Sequence, residues 1–361
     1  MRRPLVQVSL GSLAVATVLL AGCDAAPQEA ATESRAPTVS SAPSPTPTES
    51  ADEGPGSRFE FACPDFTETI AELLGGDVQL DATVPETAGG PRWLGGPAQY
   101  AIPQLGGLVC EFGGAQDGSG SSATIFVVPD GAGAITARAE VYGDGEEPRC
   151  SPLLEDFSCT WVDLVAGSYA ELRSSGIAVD DVDEAEARLD AAISGIRSYL
   201  VALPASDDRW APPTETVAIA EGCGGILPPE ALAGALGSPE LAIGFPAGGW
   251  SIEAWTLVDE WDALPCYYYE VGVDPFTSSV GELTFLPGGA WAFVSAVRGT
   301  PVTLPGEDHA AVSCGTSEEW ACTIDVLAGG SWLRWATDVE PDDPPEYAAA
   351  IAATIVAGVR G

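Results

Sequence analysis

The chain has 361 residues, 46% of them hydrophobic, and sets 53 acidic residues against 14 basic ones, all Arg, for a net charge of −39. That length and apolar content support two ordinary domains, each with its own core. A field of that sign repels phosphate backbones and anionic lipid surfaces, which excludes nucleic acid as a partner. Lys and Asn are both missing, as a GC-rich genome produces, so part of the acidity is compositional.

Arg2 and Arg3 open the chain, an apolar stretch runs from Pro4 to Leu20, and Leu20, Ala21, Gly22 and Cys23 follow. A basic start, an apolar run and small residues before a cleavage point describe an export signal. A transmembrane anchor is the competing reading and needs about 20 apolar residues. This run is shorter and is interrupted by Gln7, Ser9, Gly11, Ser12 and Thr17. The quartet LAGC resembles the lipobox of bacterial lipoproteins. The resemblance implies that residues 1–22 are a signal peptide whose peptidase recognises Leu20, Ala21 and Gly22, and that Cys23 becomes an acylated first residue. Two or more acyl chains hold a protein stably on a bilayer, so the expected address is the outer face of the cell membrane. Residues 23–57, rich in Pro, Ser, Thr and Ala, read as the lipidated Cys and a disordered tether.

With Cys23 set aside, eight cysteines remain, at 63, 110, 150 and 159 and at 223, 266, 314 and 322. The two quartets are offset by 160, 156, 164 and 163 residues, the mark of a tandem duplication. CTWVDLVAGSY from Cys159 aligns without a gap to CTIDVLAGGSW from Cys322, and PDGAGAI at Pro129 matches PGGAWAF at Pro287. The repeats span 58–203 and 218–361, separated by a linker over 204–217.

Each repeat opens with an amphipathic helix, carried by Phe66, Ile70, Leu73 and Leu74 in the first and by Leu232 and Leu236 in the second. Two strands follow (LVCEF and ATIFVVP; PCYYYEVGV and GELTFLP), then a short helix, then two more strands (CTWVDLVAG and YAELRSS; CTIDVLAG and SWLRWAT). A long helix closes each repeat, with Leu189, Ile193, Ile196 and Leu200 on one face, and Tyr347, Ile351, Ile355 and Val359 in the second copy. The order α-ββ-α-ββ-α predicts an α+β, two-layer domain, twice: an antiparallel sheet of about four strands with helices on one face.

Four cysteines per repeat allow three pairings. The pairing expected is Cys63 with Cys110 and Cys150 with Cys159, then Cys223 with Cys266 and Cys314 with Cys322, the first of each tying the opening helix to a strand. Metal binding would need close CxxC pairs, which the spacing lacks.

Catalytic signatures are sparse. Without Lys there is no Ser–Lys dyad, Schiff-base lysine or P-loop. His309 is the single histidine; it reads as an exposed loop residue and has no GxSxG serine to serve. GAGAIT at Gly131 lacks the third glycine of a dinucleotide loop and reads as a turn. Paired carboxylates could run a glycosidase, although nothing singles out a pair. The acid runs at VDDVDEAEARLD and VEPDDPPE lack EF-hand spacing and sit where they complement a helix dipole. No metal or cofactor is expected.

Seven of the ten Trp lie in the second repeat, together with Tyr267, Tyr268 and Tyr269. On a strand Tyr267 and Tyr269 point one way and Tyr268 the other. Tyr267, Tyr269 and Trp332 are the candidate binding residues, against the plainer reading that these rings fill the core.

The chain as a whole resembles a surface lipoprotein of high-GC Gram-positive, actinobacterial type. In outline it is also similar to the sensor and lipoprotein domains of mycobacterial envelopes, a likeness of layout that carries over no residue. The expectation is a membrane-anchored, noncatalytic module that binds a protein or cell-wall glycan outside the membrane. The alternatives are a carboxylate-dependent envelope hydrolase or a ligand-free scaffold.

Overall fold

In the computed structural model Ile70, Leu73 and Leu74 form the buried face of α1 (Thr67–Leu74), which ends where Gly75 takes left-handed backbone, φ 79°. The structure describes residues 54–361 apart from 83–95, 115–119, 143–148, 245–251, 274–278, 316–320, 338–340 and a few single positions. The expected signal peptide with its LAGC quartet, Cys23 and nearly all of the expected tether lie outside the described residues.

The first sheet contains β1 (Val78–Ala82), β2 (Leu108–Gly114), β3 (Ser122–Val128), β4 (Arg149–Leu153), β5 (Asp156–Val165) and β6 (Ser168–Ile177), in the order β1-β2-β3-β6-β5-β4. The second contains β7 (Leu241–Gly244), β8 (Cys266–Glu270), β9 (Ser279–Leu286), β10 (Thr300–Val302), β11 (His309–Cys314), β12 (Cys322–Ala328) and β13 (Ser331–Thr337). Its order, β7-β8-β9-β13-β12-β11-β10, is the same path with β10 added at the edge. All pairs are antiparallel. The two final hairpins share a register as well. Leu164 faces Tyr169 and Val165 faces Ser168, and 163 residues later Leu327 faces Trp332 and Ala328 faces Ser331.

The disulfides join Cys63 to Cys110, Cys150 to Cys159, Cys223 to Cys266 and Cys314 to Cys322. In each half one bond fastens the helical start of the repeat to the second strand of the sheet. The other links directly opposed residues, Cys150 on β4 with Cys159 on β5 and Cys314 on β11 with Cys322 on β12. Pairing of all eight thiols removes the four-Cys metal site from consideration.

Among the described residues the sheets have six and seven strands, not about four. The extra strands carry little of the alternation that marks a strand. The edge strands β1 and β7 are short, β4 contains Pro152, and β10 has three residues with Pro301 at its centre; edges tolerate such sequences. His309 is exposed, as expected, but it begins strand β11 rather than lying in a loop.

The closing helices α4 (Val182–Ala202) and α9 (Pro344–Arg360) are N-capped by Asp181 and Asp343, whose carboxylates accept from the backbone N–H of Glu184 at 2.9 Å and Glu346 at 3.1 Å. One acid of each run thus caps the start of a closing helix. α4 and α1 cover one face of the first sheet through Leu189, Ile193, Ile196 and Leu200. α9 covers the second sheet with α5 (Cys223–Ile226) and α6 (Pro229–Leu236). Gly358 lets α9 touch α5, because a Cβ there would run into the carbonyl of Ile226.

Helices also pack on the opposite faces, so the two-layer expectation is too simple. In each repeat the connection between the first two strands crosses to the other half. From the first repeat, a 3-10 turn (Pro97–Tyr100) leading into α2 (Ala101–Gln104) places Ala98, Tyr100 and Ala101 in the core of the second sheet. From the second repeat, α7 (Ile252–Trp261) places Ile252 and Trp255 among Val109, Phe126, Val128 and Tyr169 of the first sheet, beside α3 (Ala132–Tyr142). The exchange leaves α2 and α7 in contact between the halves.

Candidate functional site

Where α2, α7 and the inter-repeat linker meet, the chain leaves a cleft of about 230 Å³ lined by Gln104, Leu105, Arg209, Trp210, Pro212, Glu260 and Trp261. Both repeats and the linker supply walls. Trp210 and Trp261 are each half-buried. Gln104, only 2% exposed, is fixed from both ends. Its Nε2 donates to the carbonyl of Pro287 at 2.7 Å and its Oε1 accepts from the Trp291 indole at 2.9 Å. Nε2 bears two hydrogens and this arrangement occupies one.

The charged wall is a short ion-pair chain. Arg209 donates to Asp130 at 3.0 and 3.2 Å and to Glu260 at 3.3 Å. Asp130 also accepts from Arg58 at 2.7 Å, and Arg58 donates through Nε to the carbonyl of Ser206 at 2.6 Å. The Arg58 hydrogen bond, with Arg209 behind it, holds the Asp130 carboxyl below its ordinary value; partial burial opposes the shift without reversing it. The Asp130 hydrogen bond in turn raises Arg209. Arg58, which directly follows the tether segment in sequence, is thereby clasped to the linker and to the wall of the cleft.

The residues singled out from sequence lie elsewhere. Tyr268 is fully buried and donates its hydroxyl to the carbonyl of Leu227 at 2.7 Å, and burial raises its pKa. Tyr267 and Tyr269 are half-buried on the other face of β8, as strand alternation requires. Trp332 shares that face of the sheet but is fully buried, its indole donating to Asp325 at 2.7 Å. Asp325 also accepts twice from Arg334, at 2.8 and 2.9 Å. The first sheet repeats this chemistry, with Glu171 accepting from Tyr169 and Arg173. Each sheet therefore carries one buried carboxylate shared between an aromatic donor and an arginine, which satisfies the carboxylate structurally.

The sequence reading missed all the cleft residues. The one available signal was DDRWAPP, where Trp210 interrupts an otherwise polar linker. Glu260 and Trp261 fall on α7, a helix between the opening helix of the second repeat and the strand PCYYYEVGV, where the sequence reading placed no element.

Among the described residues no group of three or more His, Cys, Asp or Glu is placed to hold a metal ion, and no helix is long and apolar enough to cross a membrane. No protein-family model, curated protein or solved structure matches the chain. The four disulfides mark a protein of an oxidising, extracytoplasmic compartment.

Proposed function

We propose that this chain is a lipid-anchored extracytoplasmic binding protein that captures a small ligand in the inter-repeat cleft without converting it. Cys23 carries the acyl anchor in this reading, and residues 24–57 hold the folded part away from the bilayer. The carrying observation is the make-up of the cleft: two indoles, one oriented amide and a mutually paired Arg209 and Glu260. Such a lining recognises and orients. It offers little to a carboxylate hydrolase, which needs one carboxyl held protonated as a general acid. Asp130 is pushed the other way, and Glu260 is already engaged by a guanidinium.

Two experiments test the two halves of this reading. Membrane fractionation of cells expressing Cys23→Ser should move the protein out of the membrane fraction with no lipid mass; unchanged membrane association would overturn the anchor. Tryptophan fluorescence of the full chain should change saturably with solubilised cell-wall fragments, and Trp210→Ala should weaken that response. A flat response in wild type would favour the scaffold reading, and release of shortened fragments would favour the hydrolase.

A further inference from the structure

We infer that the cleft takes an uncharged, polyhydroxylated six-membered ring, a single sugar residue, as its occupant. The inference rests on the binding reading above and adds the chemical class. Ligand pockets for drug-sized molecules run from about 300 to 1,000 Å³, so a cleft of about 230 Å³ admits one ring or little more.

Charge narrows the choice. Arg209 and Glu260 are the charged groups lining the cleft, and they pair with each other at 3.3 Å. An anionic ligand meets an Arg209 whose charge is already offset by two carboxylates, Asp130 and Glu260, and the field of a chain with net charge −39. A cationic ligand meets a Glu260 whose charge is already offset by Arg209. A neutral ligand leaves the ion pair intact and can add to it, since the guanidinium has five donors and the carboxylate about four acceptor sites.

The remaining walls ask for both an apolar face and a polar rim. Trp210 and Trp261 present indoles, which suit the C–H face of a saturated ring. Gln104 has one amide hydrogen beyond its bond to Pro287, and its side chain is held by that bond and by Trp291. Arg209 and the amide can donate to ring hydroxyls, and Glu260 can accept from them. A purely aromatic ligand would use the indoles and leave these groups unanswered.

The test is isothermal titration calorimetry of the full mature chain against a panel of single sugars: glucose, galactose, mannose, arabinose and N-acetylglucosamine as neutral members, glucuronic acid and glucosamine as charged ones, with indole as a flat aromatic control. At least one neutral member should bind saturably, with Trp210→Ala and Trp261→Phe each weakening it at least tenfold while the melting temperature stays near that of wild type. Asp163→Asn, at the exposed ion pair with Arg197 outside the lining, should retain binding within about threefold. If only glucuronic acid, glucosamine or indole binds and depends on Trp210, the class is overturned while the cleft stands as a binding site. If no member binds, or binding ignores both Trp substitutions, the class is overturned as well. A cell-wall response that then persists in the fluorescence titration keeps the broader binding reading, and its absence removes both.

Discussion

Asp130 occupies left-handed backbone, φ 56°, at a turn where the second repeat has Gly288 at φ 72°. Asp tolerates this region at modest cost, and here its side chain gathers Arg58 and Arg209, a role glycine cannot play. Because the Asp130 pKa is lowered from 3.8 in the fold, its contribution is present above that ordinary value and is lost as the pH falls through the lowered one. Urea unfolding should therefore show Asp130→Asn less stable than wild type at neutral pH, with the gap closing under acid conditions below the ordinary carboxylate range. A gap that grows on acidification would contradict the assignment. Asp325 is the second test at this scale. It is 2% exposed and accepts from Trp332 and Arg334. Breaking a buried pair by removing one partner costs about 3 to 5 kcal/mol, so Asp325→Ala should lose stability at the lower end of that range, Arg334 being partly exposed.

At the scale of elements, strong periodicity made some parts readable and its absence hid others. Ile70, Leu73 and Leu74, like Leu189, Ile193 and Ile196, repeat at helical spacing because each helix buries a single stripe. Tyr268 announced its burial by alternating with its neighbours. The strand carrying Cys150 did not, because Pro152 and charged neighbours mark an edge, and α7 did not, because it packs against two different cores and keeps no clean polar face. The cleft was illegible for the same reason: its residues come from the crossing segments, and crossing is a property of the pair of sheets. The disulfides were legible through duplication. On the chain-entropy model, closing the 43-residue separation between Cys223 and Cys266 stabilises by about 4 kcal/mol and the 8-residue separation between Cys314 and Cys322 by about 2.5 kcal/mol. The double replacement Cys223→Ser/Cys266→Ser should therefore lower chemical stability by more than Cys314→Ser/Cys322→Ser. The reverse ranking would show that the short cross-strand bonds matter more than loop closure allows.

At the scale of the molecule, the reciprocal exchange of the 97–104 and 252–261 segments ties the halves together. Each sheet completes one of its faces with residues from the other repeat. The halves should then unfold together. Scanning calorimetry of the full chain should give one transition whose calorimetric and van't Hoff enthalpies agree, whereas two separated transitions would show that each repeat stands on its own core. The same exchange builds the cleft, so the proposed binding and the cooperativity would share one structural origin. Amide hydrogen exchange of the full chain, with and without solubilised cell-wall fragments, addresses that link most directly. Ligand-dependent protection should concentrate in residues 101–105, 209–212 and 252–261. Protection confined to the β8 face carrying Tyr267 and Tyr269, or none at all, would contradict the account.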